Sequence, residues 1–135
     1  MIKGKREKKI DLRSLSPANF EIMKIVWEKG EVSVGDVYDT VNKQRHEKLK
    51  RSTIQVQIGR LVEYGWLKPK KKGRTFYYSA SREKQNTRKD ILMDIKKRVF
   101  GGSSAELMKC LFDTADINPD EINELRDLIE EYEEE

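Results

Sequence analysis

Apolar residues return at helical intervals in three successive stretches near the start of the chain, each bracketed by capping residues. Ser16-Pro17 opens the first. A serine hydroxyl can accept from the free N–H groups of a helix start, and proline at the first helical position gives up no hydrogen bond there. Phe20, Ile22, Met23, Val26 and Trp27 then recur at helical spacing as far as Gly30, a natural C-terminal stop. Ser33 opens a second, shorter helix with Asp36 three residues on, the spacing of a capping box, and Val32 is placed to pack on Val37 as a hydrophobic staple. Val37, Tyr38 and Val41 make its apolar face. Asn42 to Lys50 is polar and basic and reads as a loop. A third helix runs from Arg51-Ser52 to Tyr64 and stops at Gly65, with Ile54, Ile58, Leu61 and Val62 on one face.

The period then changes. Trp66-Leu67-Lys68-Pro69 and Thr75-Phe76-Tyr77-Tyr78 are β-prone runs around a basic turn, Lys70-Lys71-Lys72-Gly73-Arg74, so a hairpin is expected. Helical spacing resumes after it. Ser81 is the expected cap of a long helix through about Phe100, with Ile91, Leu92, Ile95 and Val99 apolar. Gly101-Gly102 breaks that helix, and Ser103 or Ser104 caps another carrying Leu107, Met108, Leu111 and Phe112. Asn118-Pro119-Asp120-Glu121 combines a cap, a first-turn proline and acids at the positive end of the helix dipole. Ile122, Leu125, Leu128, Ile129 and Tyr132 follow as a stripe. The predicted fold class is mainly α with a small β-hairpin: an N-terminal winged helix-turn-helix followed by a C-terminal helical dimerisation region. The expected divisions are a basic arm over 1–13, the winged domain over 14–81 and the helical region over 82–135.

Charge sharpens this division. The chain has 135 residues and a net charge of +4, but residues 1–89 carry 23 Lys or Arg against 10 Asp or Glu (+13) and residues 90–135 carry 5 against 14 (−9). A basic front points to a polyanionic partner. Lys3, Lys5, Arg6, Lys8 and Lys9 make an N-terminal arm that reads either as a solvated tail or as a phosphate-touching extension. No apolar run is long enough to cross a bilayer and no signal-peptide core follows the basic start, so no membrane insertion and a cytoplasmic location are expected. With one cysteine, Cys110, and one histidine, His46, no intramolecular disulfide, cysteine-cluster metal site or ordinary nucleophile–base arrangement is available. No metal, no cofactor and no enzymatic activity are expected. Cys110 reads as a small apolar residue in a buried position.

The third helix carries the chemistry that a basic front needs. Ser52, Thr53, Gln55, Gln57 and Arg60 project from its polar side, with no acid before Glu63, and Val56 sits off the core stripe. Glutamine can pair bidentately with adenine, hydroxyls bond bases or phosphates, and valine can touch a thymine methyl. These six are the candidate base or groove contacts. Lys48, Lys50 and Arg51 just before the helix, and Lys70, Lys71, Lys72 and Arg74 on the hairpin, are the candidate phosphate contacts, although the hairpin run alone also suits a solvated turn. Trp27, Trp66, Phe76 and Tyr78 read as structural aromatics. In the C-terminal region, three amphipathic helices in about 50 residues have too little surface to bury their stripes on each other. A second copy is the economical cover, and packing onto the winged domain is the alternative. Two other functions fit a winged domain: a protein-interaction module without sequence-specific DNA binding, and a regulator responding to a small molecule.

The ordered set of these pieces resembles the penicillinase-repressor family of bacterial winged-helix regulators, which includes β-lactamase, methicillin-resistance and copper-responsive repressors. The resemblance runs from about Leu15 to Ile129. It is carried by Leu15-Ser16-Pro17 through Trp27, Thr53-Ile54 with Arg60-Leu61, Gly65-Trp66-Leu67, Phe76-Tyr77-Tyr78, Phe100-Gly101-Gly102 and Glu121 to Arg126. It implies a homodimeric transcriptional repressor on a palindromic double-stranded operator. It further implies a dimer interface built by the C-terminal helices, here Ile91, Leu92, Ile95, Val99, Leu107, Leu111, Phe112, Ile122, Leu125, Leu128 and Ile129. In the β-lactamase branch a membrane sensor and protease system relieves repression by cleavage in these helices. The matching region here is Cys110, Leu111 and Phe112, with Cys110-Leu111 where that branch has Asn-Phe. The C-terminal cysteine pattern of the copper branch is absent.

Overall fold

A computed structural model of the chain describes residues 11–114 and 116–134. Most of the expected basic arm, residues 1–10, lies outside them. The described chain divides into two units between Ile91 and Leu92.

The first unit begins with a short 3-10 turn, Leu12–Ser14, followed by helix α1 (Pro17–Lys29). Ser16 Oγ accepts from Asn19 N–H, and Gly30, at φ +89°, ends α1 by donating to the Val26 carbonyl. A two-residue strand, β1 (Glu31–Val32), leads into α2 (Val34–Asn42), whose start is the expected Ser33–Asp36 capping box. Helix α3 (Arg51–Glu63), strand β2 (Leu67–Lys72) and strand β3 (Thr75–Ala80) follow, and α4 (Lys84–Phe100) begins in this unit.

Among the described residues the strands form a three-stranded antiparallel sheet in the order β1-β3-β2. The hairpin turns on Gly73-Arg74 alone, because Lys72 pairs with Thr75. Gly73 has φ +64° and Arg74 a negative φ, the pattern of a type II′ turn whose twist suits a hairpin. Pro69 is tolerated because β2 lies at the sheet edge. Ile22, Met23 and Val26 of α1, Val32, Val37, Ile54, Ile58, Leu61, Trp66 and Leu67 are buried together as one core. Its polar contents are satisfied: Trp66 Nε1–H donates to Ser14 Oγ at 2.8 Å and Asn19 Nδ2 to the Ser14 carbonyl at 3.0 Å. These bonds fasten the 3-10 turn to α1 and to the residue just before β2. Within that turn, hydrogen bonds from Arg13 hold the Asp11 carboxyl below the usual carboxylate range.

Several expectations change here. The hairpin gains β1 as a third strand, in register Glu31↔Ser79 and Val32↔Tyr78. Lys70, Lys71 and Lys72 are strand residues rather than turn residues. The helix expected from a Ser81 cap starts at Lys84, because Ser81 N–H donates to the Trp66 carbonyl and Trp27 Nε1–H to the Arg82 carbonyl. Those bonds tie the bend at Ser81-Arg82 to the first unit before the first helical turn. Phe76, expected as a structural aromatic, lies outside the core at 49% exposed.

The second unit holds the end of α4, then α5 (Ser104–Thr114) and α6 (Pro119–Glu133). Gly101 and Gly102, at φ +57° and +84°, reverse the chain so that Gly102 N–H donates to the Lys96 carbonyl. Ser103 Oγ accepts from Glu106 N–H at the start of α5, and Asn118 Oδ1 accepts from Glu121 N–H at the start of α6. Neither α5 nor α6 buries a residue. Leu107, Ile122 and Leu125 are half-buried, whereas Leu111, Phe112, Leu128 and Ile129 are exposed, Ile129 at 58%. Cys110, expected to be buried, is exposed.

Candidate nucleic-acid interface

The loop from α2 to α3 decides how α3 is presented, and Asn42 decides the loop. Its Oδ1 accepts from Leu49 N–H at 2.8 Å and its Nδ2 donates to the Leu49 carbonyl at 3.1 Å. One buried side chain thus satisfies both backbone groups of Leu49, a pairing that periodicity cannot reveal. Lys48 Nζ donates to the Asn42 carbonyl at 2.5 Å and closes the same turn. Lys50 then occupies the N-cap of α3, with no side chain capping the helix start. Arg51 packs its guanidinium over the first turn of α2: a Cβ built on Gly35 would lie 3.4 Å from Arg51 Nη2.

Helix α3 buries Ile54, Ile58 and Leu61 and turns its other side outward. Ser52, Thr53, Gln55, Val56 and Arg60 are exposed and Gln57 is half-buried. By helical rotation Ser52, Val56, Gly59 and Glu63 follow the outermost line, with Arg60 beside it and Gln55 and Gln57 on its flanks. Val56 is 54% exposed. Gly59 was not singled out from sequence. The available signal was a glycine in the middle of a helix, where it is the poorest residue after proline.

The sheet register sorts the hairpin into two faces. Lys68, Lys70 and Lys72 lie across from Ser79, Tyr77 and Thr75 on one face. Leu67, Pro69 and Lys71 lie across from Ala80, Tyr78 and Phe76 on the other, which is core at its base and exposed toward the turn. Lys71 Nζ stands 5.8 Å from the centre of the Phe76 ring and Lys72 Nζ 5.4 Å from that of Tyr77. Lys72 is also ion-paired with Glu31 on β1. Lys48 and Lys72 therefore have oxygen partners within the chain and Lys71 a ring partner, and Arg74 occupies the exposed turn. Among the described residues no helix is long and apolar enough to cross a membrane.

Three helices closed by an antiparallel sheet, with a basic hairpin after the third helix, define a winged helix-turn-helix protein. A solved structure described as a possible transcriptional regulator for arsenical resistance shares this fold, with a TM-score of 0.50 at 18% identity over 69% of this chain and 95% of that one. The penicillinase repressor family model matches residues 15–131, and the chain belongs to that family of winged-helix DNA-binding repressors. The methicillin resistance regulatory protein MecI of Mammaliicoccus sciuri is 28% identical over 115 residues, covering 85% of this chain and 92% of that one. The penicillinase repressor of Staphylococcus aureus is 25% identical over 115 residues, covering 85% and 90%.

Proposed function

We propose that the chain is a cytoplasmic, sequence-specific transcriptional repressor that works as a homodimer on a palindromic operator. The observation that carries this reading is the outward side of α3, which offers hydroxyls, amides, one valine and one arginine with no acid before Glu63, between a basic loop and a basic hairpin. Ser52, Thr53, Gln55, Val56, Gln57 and Arg60 meet base edges or the groove wall. Lys50, Arg51, Lys70, Lys71 and Arg74 meet phosphates, and Lys48 and Lys72 do so by exchanging their present partners. The uncapped start of α3 adds backbone N–H groups and the positive end of the helix dipole.

The dimer reading rests on the second unit, whose last two helices bury nothing while presenting Leu111, Phe112, Leu128 and Ile129. A second copy covers these stripes together with Ile91, Leu92, Ile95, Val99, Leu107, Ile122 and Leu125. The functional division is then an arm over 1–13, a DNA-binding domain over 14–81 and a dimerising region over 82–135. Derepression follows from proteolysis in α5 at Cys110, Leu111 or Phe112, downstream of a membrane sensor and protease system. Cleavage there separates the stripes that hold the two copies together.

Two substitutions test the DNA docking. Arg74→Ala lowers affinity for every duplex and flattens the slope of log affinity against log salt by about 0.9, the share of one phosphate. Gln57→Ala changes the preferred sequence instead. Titrations of both variants that match the unsubstituted chain, on selected and random duplexes alike, remove this docking.

A further inference from the structure

Among the described residues, nothing packs into the space that a side chain at Gly59 would fill. The contrast with Gly35 makes this plain. A Cβ at Gly35 would meet Arg51 Nη2 at 3.4 Å and Ser33 Oγ at 3.6 Å, so the missing side chain there makes room for an internal contact. A Cβ at Gly59 would meet nothing within 4 Å. Glycine in a helix interior weakens the helix relative to alanine, and among the described residues no packing at Gly59 offsets that weakness. A surface that seats against α3 from outside can use the space that the missing side chain leaves.

Its surroundings say what that is. Gly59 follows Val56 by three residues and Gln55 by four, so these side chains border it on the preceding turn, and Arg60 adjoins it. Val56 is the apolar member of the outward side and is 54% exposed. The missing side chain next to it leaves a shallow notch floored by helix backbone, with the Val56 isopropyl group and the Gln55 amide on the preceding turn, the Arg60 guanidinium beside it and the Glu63 carboxylate one turn on. Major-groove edges present donors and acceptors at each base except for one apolar group, the 5-methyl of thymine. A notch of this character, with hydrogen-bonding side chains on either side, matches that group and its polar neighbours.

We infer that the Val56–Gly59 notch receives a thymine 5-methyl in each half-site, and that Gly59 sets how closely α3 seats against the base pair. The inference rests on the DNA-binding reading above and deepens it to one residue and one base. In it, Gln55 and Arg60 contact the bases adjacent to that thymine.

The test uses the full chain and a duplex that it selects from random sequence. Each thymine of that duplex is replaced in turn by deoxyuridine, which removes only the methyl, and binding is measured for the unsubstituted chain and for Gly59→Leu. The unsubstituted chain loses about threefold to fivefold per half-site at one symmetric thymine position, the worth of one buried methyl. Gly59→Leu melts at the same temperature or higher, binds the selected duplex at least about tenfold more weakly, and shows no further loss at that position. Equal binding by Gly59→Leu, or no thymine at which deoxyuridine weakens the unsubstituted chain, overturns the notch while leaving the DNA reading intact. A chain that enriches no sequence at all removes both.

Discussion

Asn42 shows where residue chemistry overrides pattern. It falls at the polar end of α2, a position that hydrophobic spacing assigns to solvent, yet it is buried and bonds both backbone groups of Leu49. Polar burial of this kind leaves no trace in periodicity, because its partner is backbone and carries no residue identity. Removing it leaves a donor and an acceptor unsatisfied near the core, which costs about 1–3 kcal/mol. Asn42→Ala is expected to lower the urea midpoint accordingly, and a change below about 0.5 kcal/mol would show that water replaces the side chain without penalty. The same limit applies to Lys48 and Lys72. Their charges were legible in the sequence, but their engagement with the Asn42 carbonyl and with Glu31 depends on a loop closure and on the register of β1.

At the scale of elements, the starts and stops were the legible features. Ser16, Ser33 and Asn118 cap the helices they were expected to cap, since each cap is a local bond between a side chain and an N–H three residues on. β1 was not legible, because two residues carry no alternation and their strand character comes entirely from β3. The start of α4 was misplaced for a related reason: the bonds that delay it come from Trp66 and Trp27, distant in sequence. Phe76 reads as a structural aromatic by type, and the hairpin, extending beyond the core, carries it outward with Lys71 above its ring. The hairpin depends on the left-handed φ of Gly73. Gly73→Ala places a Cβ in that strained conformation at a cost of about 1–3 kcal/mol. It should lower the thermal midpoint and weaken DNA binding together, and an unchanged midpoint would mean that the turn adopts another form.

For the whole molecule, the proposed dimer gives charge and apolar content one explanation. The basic excess falls where α3 and the hairpin lie, and the acidic excess falls on helices that bury nothing in a single copy. A dimer joined through those helices carries two copies of α3 related by a two-fold axis, and that symmetry must be mirrored in the DNA it prefers. The helical stripes were legible from sequence, whereas Cys110 was assigned to burial on residue type and is exposed. The most direct measurement is selection of duplexes by the full chain from a random pool at about 0.15 M salt, followed by footprinting. The account predicts an enriched inverted repeat whose half-sites lie about 34–36 Å apart, or a multiple of that, each protected in the major groove. Recovery of no enriched sequence, or of an asymmetric site bound by one copy, would contradict it.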